Sequence, residues 1–314
     1  MEPNQVKQAV VVGAGIMGHG IAQVLAQAGI EVGLVDLHQS CLDHALNLIR
    51  GNLQTLSEHG RVAASAIPDI LARVHPSTEL AAAAQGAEFA VEAVVEVPQA
   101  KKEVFQQLEA ACAPTTIIAS NTSSLDVFSL AEIAHPERLV VAHWFAPPHI
   151  IPLVEVVPGP RTAPEVVRAT AGLMTRLGKR PVVLRQFVPS FIVNRIQSAI
   201  FMAVSQILQN GWASIEDIDL AVKASLGIRL PIVGVVQTLD FTGLNLIRDQ
   251  YQSLGLQPPG FIQERIEKGW LGAGAGKGLY DYAGRPEEEI LRRRDSLYLK
   301  QLELLESATA FEPV

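Results

Sequence analysis

Cysteine is nearly absent. Cys41 and Cys112 are the only two in 314 residues, and no metal-ligand spacing joins them, so neither a disulfide framework nor a metal cluster is expected. Free thiols of this kind are expected to be buried, in a reducing, cytoplasmic setting. Cations are in the minority: 25 Lys and Arg face 32 Asp and Glu, a formal net charge of −7. That balance argues against a nucleic-acid partner, because neutralising phosphates needs a basic surface. No apolar run approaches the roughly 18 residues of a membrane helix, so no membrane span is expected. The first residues run from a short apolar stretch straight into a glycine turn, unlike a signal peptide. No repeat at solenoid spacing is visible. Apolar residues, by contrast, are plentiful: at 48%, against 18% charged, they can fill a core and exclude a disordered chain. The length admits two domains.

Through the first 186 residues, short β-like runs alternate with helical ones. The runs Ala9–Val12, Glu31–Val35, Phe89–Val95, Thr116–Ala119, Leu139–Ala142, Leu153–Val157 and Val182–Leu184 read as strands. Helical spacing marks the stretch from Ile16 to Gly29, with Gly29 as its C′ glycine, and also Cys41–His59, Gln99–Ala111 and Ala163–Leu177. Strands alternating with helices predict parallel βαβ units, hence an α/β fold with a Rossmann-type, doubly wound parallel sheet. From about Phe187 the alternation stops. Helices are expected over Phe191–Gln209, Ile215–Ser225 (with Ser214 as N-cap), Gly243–Ser253 and Glu287–Leu305. The expected division is therefore 1–186, an α/β domain, and 187–314, a smaller all-α domain.

The first turn carries the clearest motif. In AVVVGAGIMGHG, Gly13, Gly15 and Gly18 stand in GxGxxG spacing between a strand and a helix. The first glycine makes the turn, the second admits a pyrophosphate, and the third lets helix and strand approach. The loop Gly13, Ala14, Gly15, Ile16, Met17 and Gly18 would then present a helix N-terminus to phosphates. An ordinary glycine turn is the alternative, but the second strand also ends in Asp36. A carboxylate there accepts ribose hydroxyls and repels a 2′-phosphate, and no Arg follows at Leu37, His38 or Gln39. NAD rather than NADP is the expected cofactor.

A hydride acceptor needs a base that takes the alcohol proton, and histidine titrates in the useful range. His19, His38, His44, His59, His75 and His135 sit on turns or helix faces, where solvated or capping roles are expected. His143 closes the strand-like run LVVA, and ligands of open parallel sheets bind beyond the carboxyl ends of strands. His149 is a second candidate, placed in a Pro-rich loop. Glu155 lies inside the apolar run LVEVV, where an unpaired carboxylate is costly. A His143–Glu155 pair would remove that cost and support an imidazolium; two unrelated structural residues are the alternative. The segment Ser120-Asn121-Thr122-Ser123-Ser124 follows another strand and can meet cofactor and substrate, with a helix N-cap as its alternative role. Asn194, in SFIVNRI, reads as a helix-interior amide that could stabilise a substrate oxyanion, or else bond to backbone.

Together the motifs VVGAGIMGHGIA, VEAVVEVPQAKKEVF, IIASNTSSL, RLVVAHWFAPPHIIPLVEVV, SFIVNRI and GKGLYDY resemble the L-3-hydroxyacyl-CoA dehydrogenase family over essentially the whole chain. The resemblance implies a Rossmann-type domain, a helical domain that mediates homodimerisation, and an active site between them. It implies His143 as the catalytic histidine, Glu155 as its acid partner, Ser123 beside substrate and nicotinamide, and Asn194 on the substrate side. Glu96 and Lys101 match contacts to the nicotinamide ribose, for which the alternative is a solvated charge pair. Asn121 and Ser123 join the cofactor-binding set.

Three departures bear on the substrate. Ala146 stands where the family usually has Asn, Pro152 stands where the acyl-CoA enzymes usually carry Lys, and residues 51–66 contain one cation, Arg61. A CoA phosphate wants cations. The expected substrate is thus a small acyl molecule, either a 3-hydroxyacyl-CoA thioester or a CoA-free hydroxy or aldehyde acid of the L-gulonate or pyridine-carboxylate type. A catalytically idle, crystallin-like NAD-binding protein is the reading from a different class.

Overall fold

The computed structural model describes residues 6–312. Among them are eight strands: β1 (Gln8–Val12), β2 (Glu31–Val35), β3 (Val74–Ser77), β4 (Phe89–Glu92), β5 (Ile117–Ser120), β6 (Leu139–Trp144), β7 (Leu153–Pro158) and β8 (Arg180–Val183). Helices α1 (Gly18–Gln27), α2 (Gln39–Glu58), α3 (Ile67–Ala72), α4 (Leu80–Ala83), α5 (Pro98–Ala111), α6 (Val127–Leu130) and α7 (Pro164–Arg176) separate them. The remainder is helical: α8 (Val193–Gln209), α9 (Ile215–Ala221), α10 (Gly227–Thr242), α11 (Leu244–Ser253), α12 (Gly260–Glu267) and α13 (Glu287–Ser307). No helix among the described residues is long and apolar enough to cross a membrane.

The strands form one sheet in the order β3-β2-β1-β4-β5-β6-β7-β8. It is parallel from β3 to β6, as the alternation predicts, but β7 runs antiparallel to β6 and β8 parallel to β7. The reason lies in the connection. Residues 145–152 hold no helix, and so short a link can join antiparallel strands but cannot make a parallel crossover. β3 is an edge strand reading VHPS; it tolerates Pro76 there and shows no apolar run that would announce it. The central strands β1, β4, β5 and β6 are buried almost throughout, which is why they read as continuous apolar runs rather than alternating ones. One face packs with α1, α2 and α7 around Val11, Ile21, Leu25, Leu34, Trp144 and Leu173; the other packs with α5 around Val10, Phe105, Leu108, Val141 and Phe191. Gly29, at φ +81°, ends α1 as expected. Both cysteines are free, Cys112 buried but Cys41 exposed on α2, against the expectation for the latter.

The chain divides into two compact units, one ending at Ala199 and the other beginning at Ile200. The division falls inside α8, later than the change of pattern near 187, because Phe187, Val188 and Phe191 pack into the core on one face of the sheet. In the second unit Ser214 caps α9 by accepting from Asp217 N–H at 3.0 Å. A π-helical turn, Val222–Leu226, leads directly into α10. That helix is hidden in the sequence because it contains Pro231 and a non-helical Gly234, both helix breakers.

Asp240 organises this unit. It is 1% exposed and accepts from Leu279 N–H at 2.8 Å, Tyr280 N–H at 2.9 Å and the Tyr282 hydroxyl at 3.1 Å. A Cβ on Gly278 would lie 2.3 Å from Asp240 Oδ1, so the glycine lets the backbone close on the carboxylate. Burial and the Asp240 charge push the Tyr282 phenol up, which keeps it a donor. The late GKGLYDY motif is thus a clasp on Asp240. Asp240→Ala would strand three donors, of which the Tyr282 hydroxyl is buried, and full-length chain stability in urea should fall by about 2–4 kcal/mol; a loss below about 0.5 kcal/mol would show that the clasp is held by other contacts.

Candidate active site

The glycine turn is built by close contact. Gly13 has φ +103°, and a Cβ there would lie 2.5 Å from the Ala93 carbonyl oxygen; a Cβ on Gly18 would lie 1.6 Å from that of Gly13. Gly15 is different: nothing lies within 4 Å of its Cβ position, so its hydrogen faces open space where a phosphate can approach. Asp36 accepts from Ala14 N–H at 2.8 Å and so ties the end of β2 to this turn. Around the carboxyl ends of the strands, Ile16, Leu37 and Val95 are 79%, 87% and 66% exposed. Exposed apolar side chains beside an open glycine cradle and a carboxylate fit a dinucleotide, which has planar rings, phosphates and ribose hydroxyls. Met17 precedes α1 without capping it by its side chain. His19 is not solvated as expected: it is buried, with Nδ1 2.8 Å from the Gly15 carbonyl.

His143 lies within β6 rather than just beyond it, and its direct register partner across the antiparallel pair is Glu155. Directly opposed residues bring their side chains together. His143 Nδ1 is 2.8 Å from Glu155 Oε2, with the two residues 3% and 1% exposed. A carboxylate only accepts, so Nδ1 carries the hydrogen, and in the neutral ring the lone pair is then on Nε2. The other oxygen, Oε1, accepts from Ile192 N–H and Val193 N–H, both at 3.0 Å. Glu155 therefore has three donors, and it anchors the start of α8 as well as the imidazole. Phe145 and Phe191 lie against the imidazole, with centroids 4.5 and 5.3 Å away. Ser190 and Phe191 both take positive φ, 64° and 48°, a strained approach that brings the chain down onto the sheet before the helix begins. Burial pushes the Glu155 carboxyl up, but the bonds from His143, Val193 and Ile192 outweigh it and hold the group below the usual carboxylate range.

Asn194 sits in the first turn of α8 rather than in a helix interior, and its Nδ2 donates to the Ser123 carbonyl at 3.4 Å. Anchoring α8 on Glu155 thus also brings Asn194 to the Ser120–Ser124 turn. That turn is held from below by Glu96, which accepts from Thr122 Oγ1 at 2.6 Å, Ser123 N–H at 2.9 Å and Ser124 N–H at 3.1 Å. Burial raises the Glu96 carboxyl, yet Thr122, Lys101 and Ser123 together hold it below the usual range. The helix cap expected among residues 120–124 is supplied instead by Asp126, which accepts from Phe128 and Ser129 N–H groups. Asn121 is buried and accepts from Trp144 N–H at 2.9 Å, locking the ends of β5 and β6 together.

Lys101 is 1% exposed, so the Glu96–Lys101 pair is not a solvated one. Its ammonium bridges Glu96 at 3.1 Å and Glu92 at 2.7 Å. Glu92, fully buried at the end of β4, also accepts from Ser120 Oγ at 2.5 Å and Val94 N–H at 2.9 Å. Glu92 lies outside the expected set, and Thr122 enters it only as part of the Ser120–Ser124 segment. A signal existed for Glu92: it is an acid inside the apolar run FAVEAVV, the same pattern that drew attention to Glu155.

Residues 8–187 match the model of the 3-hydroxyacyl-CoA dehydrogenase NAD binding domain, and residues 191–282 match that of the C-terminal domain. The chain belongs to the 3-hydroxyacyl-CoA dehydrogenase family. It is 35% identical to a probable 3-hydroxybutyryl-CoA dehydrogenase of Deinococcus radiodurans, over 87% of this chain and 99% of that protein. It is 29% identical to a 5-formyl-3-hydroxy-2-methylpyridine 4-carboxylate 5-dehydrogenase of Mesorhizobium japonicum, over 90% and 92%. The solved 3-hydroxyacyl-CoA dehydrogenase of Archaeoglobus fulgidus is similar at a TM-score of 0.81 and 30% identity, over 96% and 99%. Membership makes the chain an oxidoreductase with an NAD-binding domain, and sets the His143–Glu155 pair and the glycine cradle in a dehydrogenase.

A family dehydrogenase with a carboxylate buried this deeply should show it in acid. Glu155 binds its proton less readily folded than unfolded, so its contribution to stability is complete above the ordinary carboxylate range. It is lost as pH falls through the depressed folded value. The stability gap between wild type and Glu155→Gln, measured in urea, should therefore be full at pH 7 and shrink below about pH 4. A gap that stays constant down to pH 3 would mean that the carboxyl is not held ionised.

Proposed function

We propose that this chain is an NAD-dependent dehydrogenase of the 3-hydroxyacyl-CoA type, interconverting an (S)-3-hydroxyacyl-CoA and its 3-ketoacyl-CoA with His143 as acid–base group. The observation that carries this reading is the buried pair itself: an imidazole with Nδ1 committed to Glu155 and Nε2 left to take a hydroxyl proton. NAD would be held by Gly13, Ala14, Gly15, Ile16, Met17 and Gly18, by Asp36 on the adenosine ribose, and by Glu96, Lys101, Asn121 and Ser123 towards the nicotinamide. When bound, it supplies the hydride acceptor. His143 takes the proton as the carbonyl forms, and Glu155 stabilises the imidazolium without moving, because Ile192 and Val193 already fix its second oxygen. Asn194 and Ser123 flank the substrate carbonyl and supply donors to its oxygen.

A second reading is favoured by one feature, the cation-poor segment of residues 51–66, where Arg61 stands alone. Under it the substrate is a small CoA-free hydroxy or aldehyde acid, of the kind named for the Mesorhizobium japonicum relative. NADH absorbance separates the two, followed as its loss with acetoacetyl-CoA and free acetoacetate and as its gain from NAD with sugar or pyridine acids: turnover confined to the free acids overturns the thioester reading. With whichever substrate turns over, His143→Gln should lower kcat by roughly 10²–10⁴ and leave NADH affinity unchanged. Retention of activity would remove His143 as the base.

The helical unit serves substrate binding and homodimerisation in this reading. Along α8, Ile196, Ile200, Phe201 and Met202 are 43%, 42%, 58% and 68% exposed, an apolar face of the kind that marks a subunit contact. Light scattering should give a dimer for the wild type and a monomer for Phe201→Glu combined with Met202→Glu. A monomeric wild type at micromolar concentration would refute the assignment.

A further inference from the structure

Lys179 follows α7 and is 8% exposed. Its ammonium donates to the carbonyls of Pro148 and Ile151 and lies 5.2 Å from the centroid of the Trp144 ring. Carbonyl dipoles and an aromatic face ease the burial of a cation, but they do not neutralise it, and no ion pair to Lys179 is formed among the described residues. An ammonium has three N–H groups; two go to these carbonyls.

Lys179 lines a cavity of about 360 Å³ between the C-terminal ends of α1 and α7 and the 149–152 loop. That volume lies at the small end of the range of metabolite pockets, roughly 300–1,000 Å³. Gln27, His149, Ile150 and Arg176 also line it, and no carboxylate does among the described residues. His149 Nδ1 is enclosed without a hydrogen-bond partner, an uncommon condition for a buried polar atom. Burial pushes His149 down, and the nearby His19 and Lys179 push it further; burial alone lowers Lys179 to about 8. Lys179 and His149 thus border one hollow that no carboxylate of the described residues lines.

The cavity is separate from the proposed catalytic pair. Successive residues of a strand point to opposite faces, and His143 meets Phe191 in the α5-side core whereas Trp144 belongs to the α1- and α7-side core. The sheet stands between them. We infer that Lys179 and His149 form a second binding site, for a small phosphate- or carboxylate-bearing anion, on the sheet face opposite His143. The anion would take the remaining Lys179 N–H beside the His149 ring, and would bring to the ammonium the opposite charge that no described lining residue carries.

Trp144 reports on the site because Lys179 lies over its ring. The chain has three tryptophans, Trp144, Trp212 and Trp270, so Trp212→Phe with Trp270→Phe leaves Trp144 as the sole emitter. In that background, inorganic phosphate and malonate are titrated at constant ionic strength, with chloride as control. A saturable emission change with phosphate, malonate or both, weakened at least tenfold by Lys179→Met and by His149→Gln, supports the site and shows which anion it prefers. His149 is partly exposed, so His149→Gln keeps the test valid if Lys179→Met fails to fold. Unchanged NADH affinity in His149→Gln separates this site from the glycine cradle. A response absent, matched by chloride, or untouched by His149→Gln overturns it.

Discussion

The burial of one carboxylate in an apolar strand constrains everything around it. Glu155 lies within β7 with apolar neighbours on both sides, where an unpaired charge would cost several kcal/mol. It is tolerated because both oxygens find donors: His143 on one, Ile192 and Val193 on the other. Those donors come from β6 and from the start of α8, so the acid joins strand, strand and helix at one point. Antiparallel register sets His143 opposite Glu155, and the strained turn at Ser190–Phe191 delivers the two amides. Removing the carboxylate would release the imidazole, the helix start and Asn194 together.

A second buried acid repeats the arrangement one strand pair away. Glu92 collects Lys101, Ser120 and Val94, and Lys101 passes the connection on to Glu96, which holds the amides of the 123–124 turn. Networks of this kind are rigid when every member is satisfied. The turn bearing Ser123 is therefore held from the β4 side by Glu96 and approached from the α8 side by Asn194. Two acids, one within β7 and one at the end of β4, locate the polar groups that surround the proposed substrate position.

Much of this was legible because the physics is local. Glycine spacing after a strand, an acid ending the next strand, and an acid stranded among valines are all visible one residue at a time. The αβ alternation and the Ser214 cap were legible for the same reason. What escaped needs long-range pairing. The reversal of β7 follows from a short connection, but the parallel rule hid it; β3 has no apolar run; α10 carries both Pro231 and Gly234. Without the resemblance, a solvated pair is the alternative for Glu96 and Lys101, because only the fold reveals that buried Glu92 shares the Lys101 ammonium. The resemblance supplied roles for these residues, whereas the fold supplies their partners.

The His143–Glu155 pair is indifferent to what hangs from the substrate. Removing a hydroxyl proton beside a carbonyl makes the same demand whether the acyl group ends in a thioester or in a free carboxylate, so the pair can be common to both kinds of relative. Discrimination must then be made by groups that touch the rest of the molecule. A CoA tail presents phosphates, and phosphates are held by cations with matching geometry. Across residues 51–66 this chain offers Arg61, while Asn52 is already engaged with Gln23. Under the proposed function, the charge of residues 51–66 decides the substrate class, and the buried His143–Glu155 pair sets only the reaction.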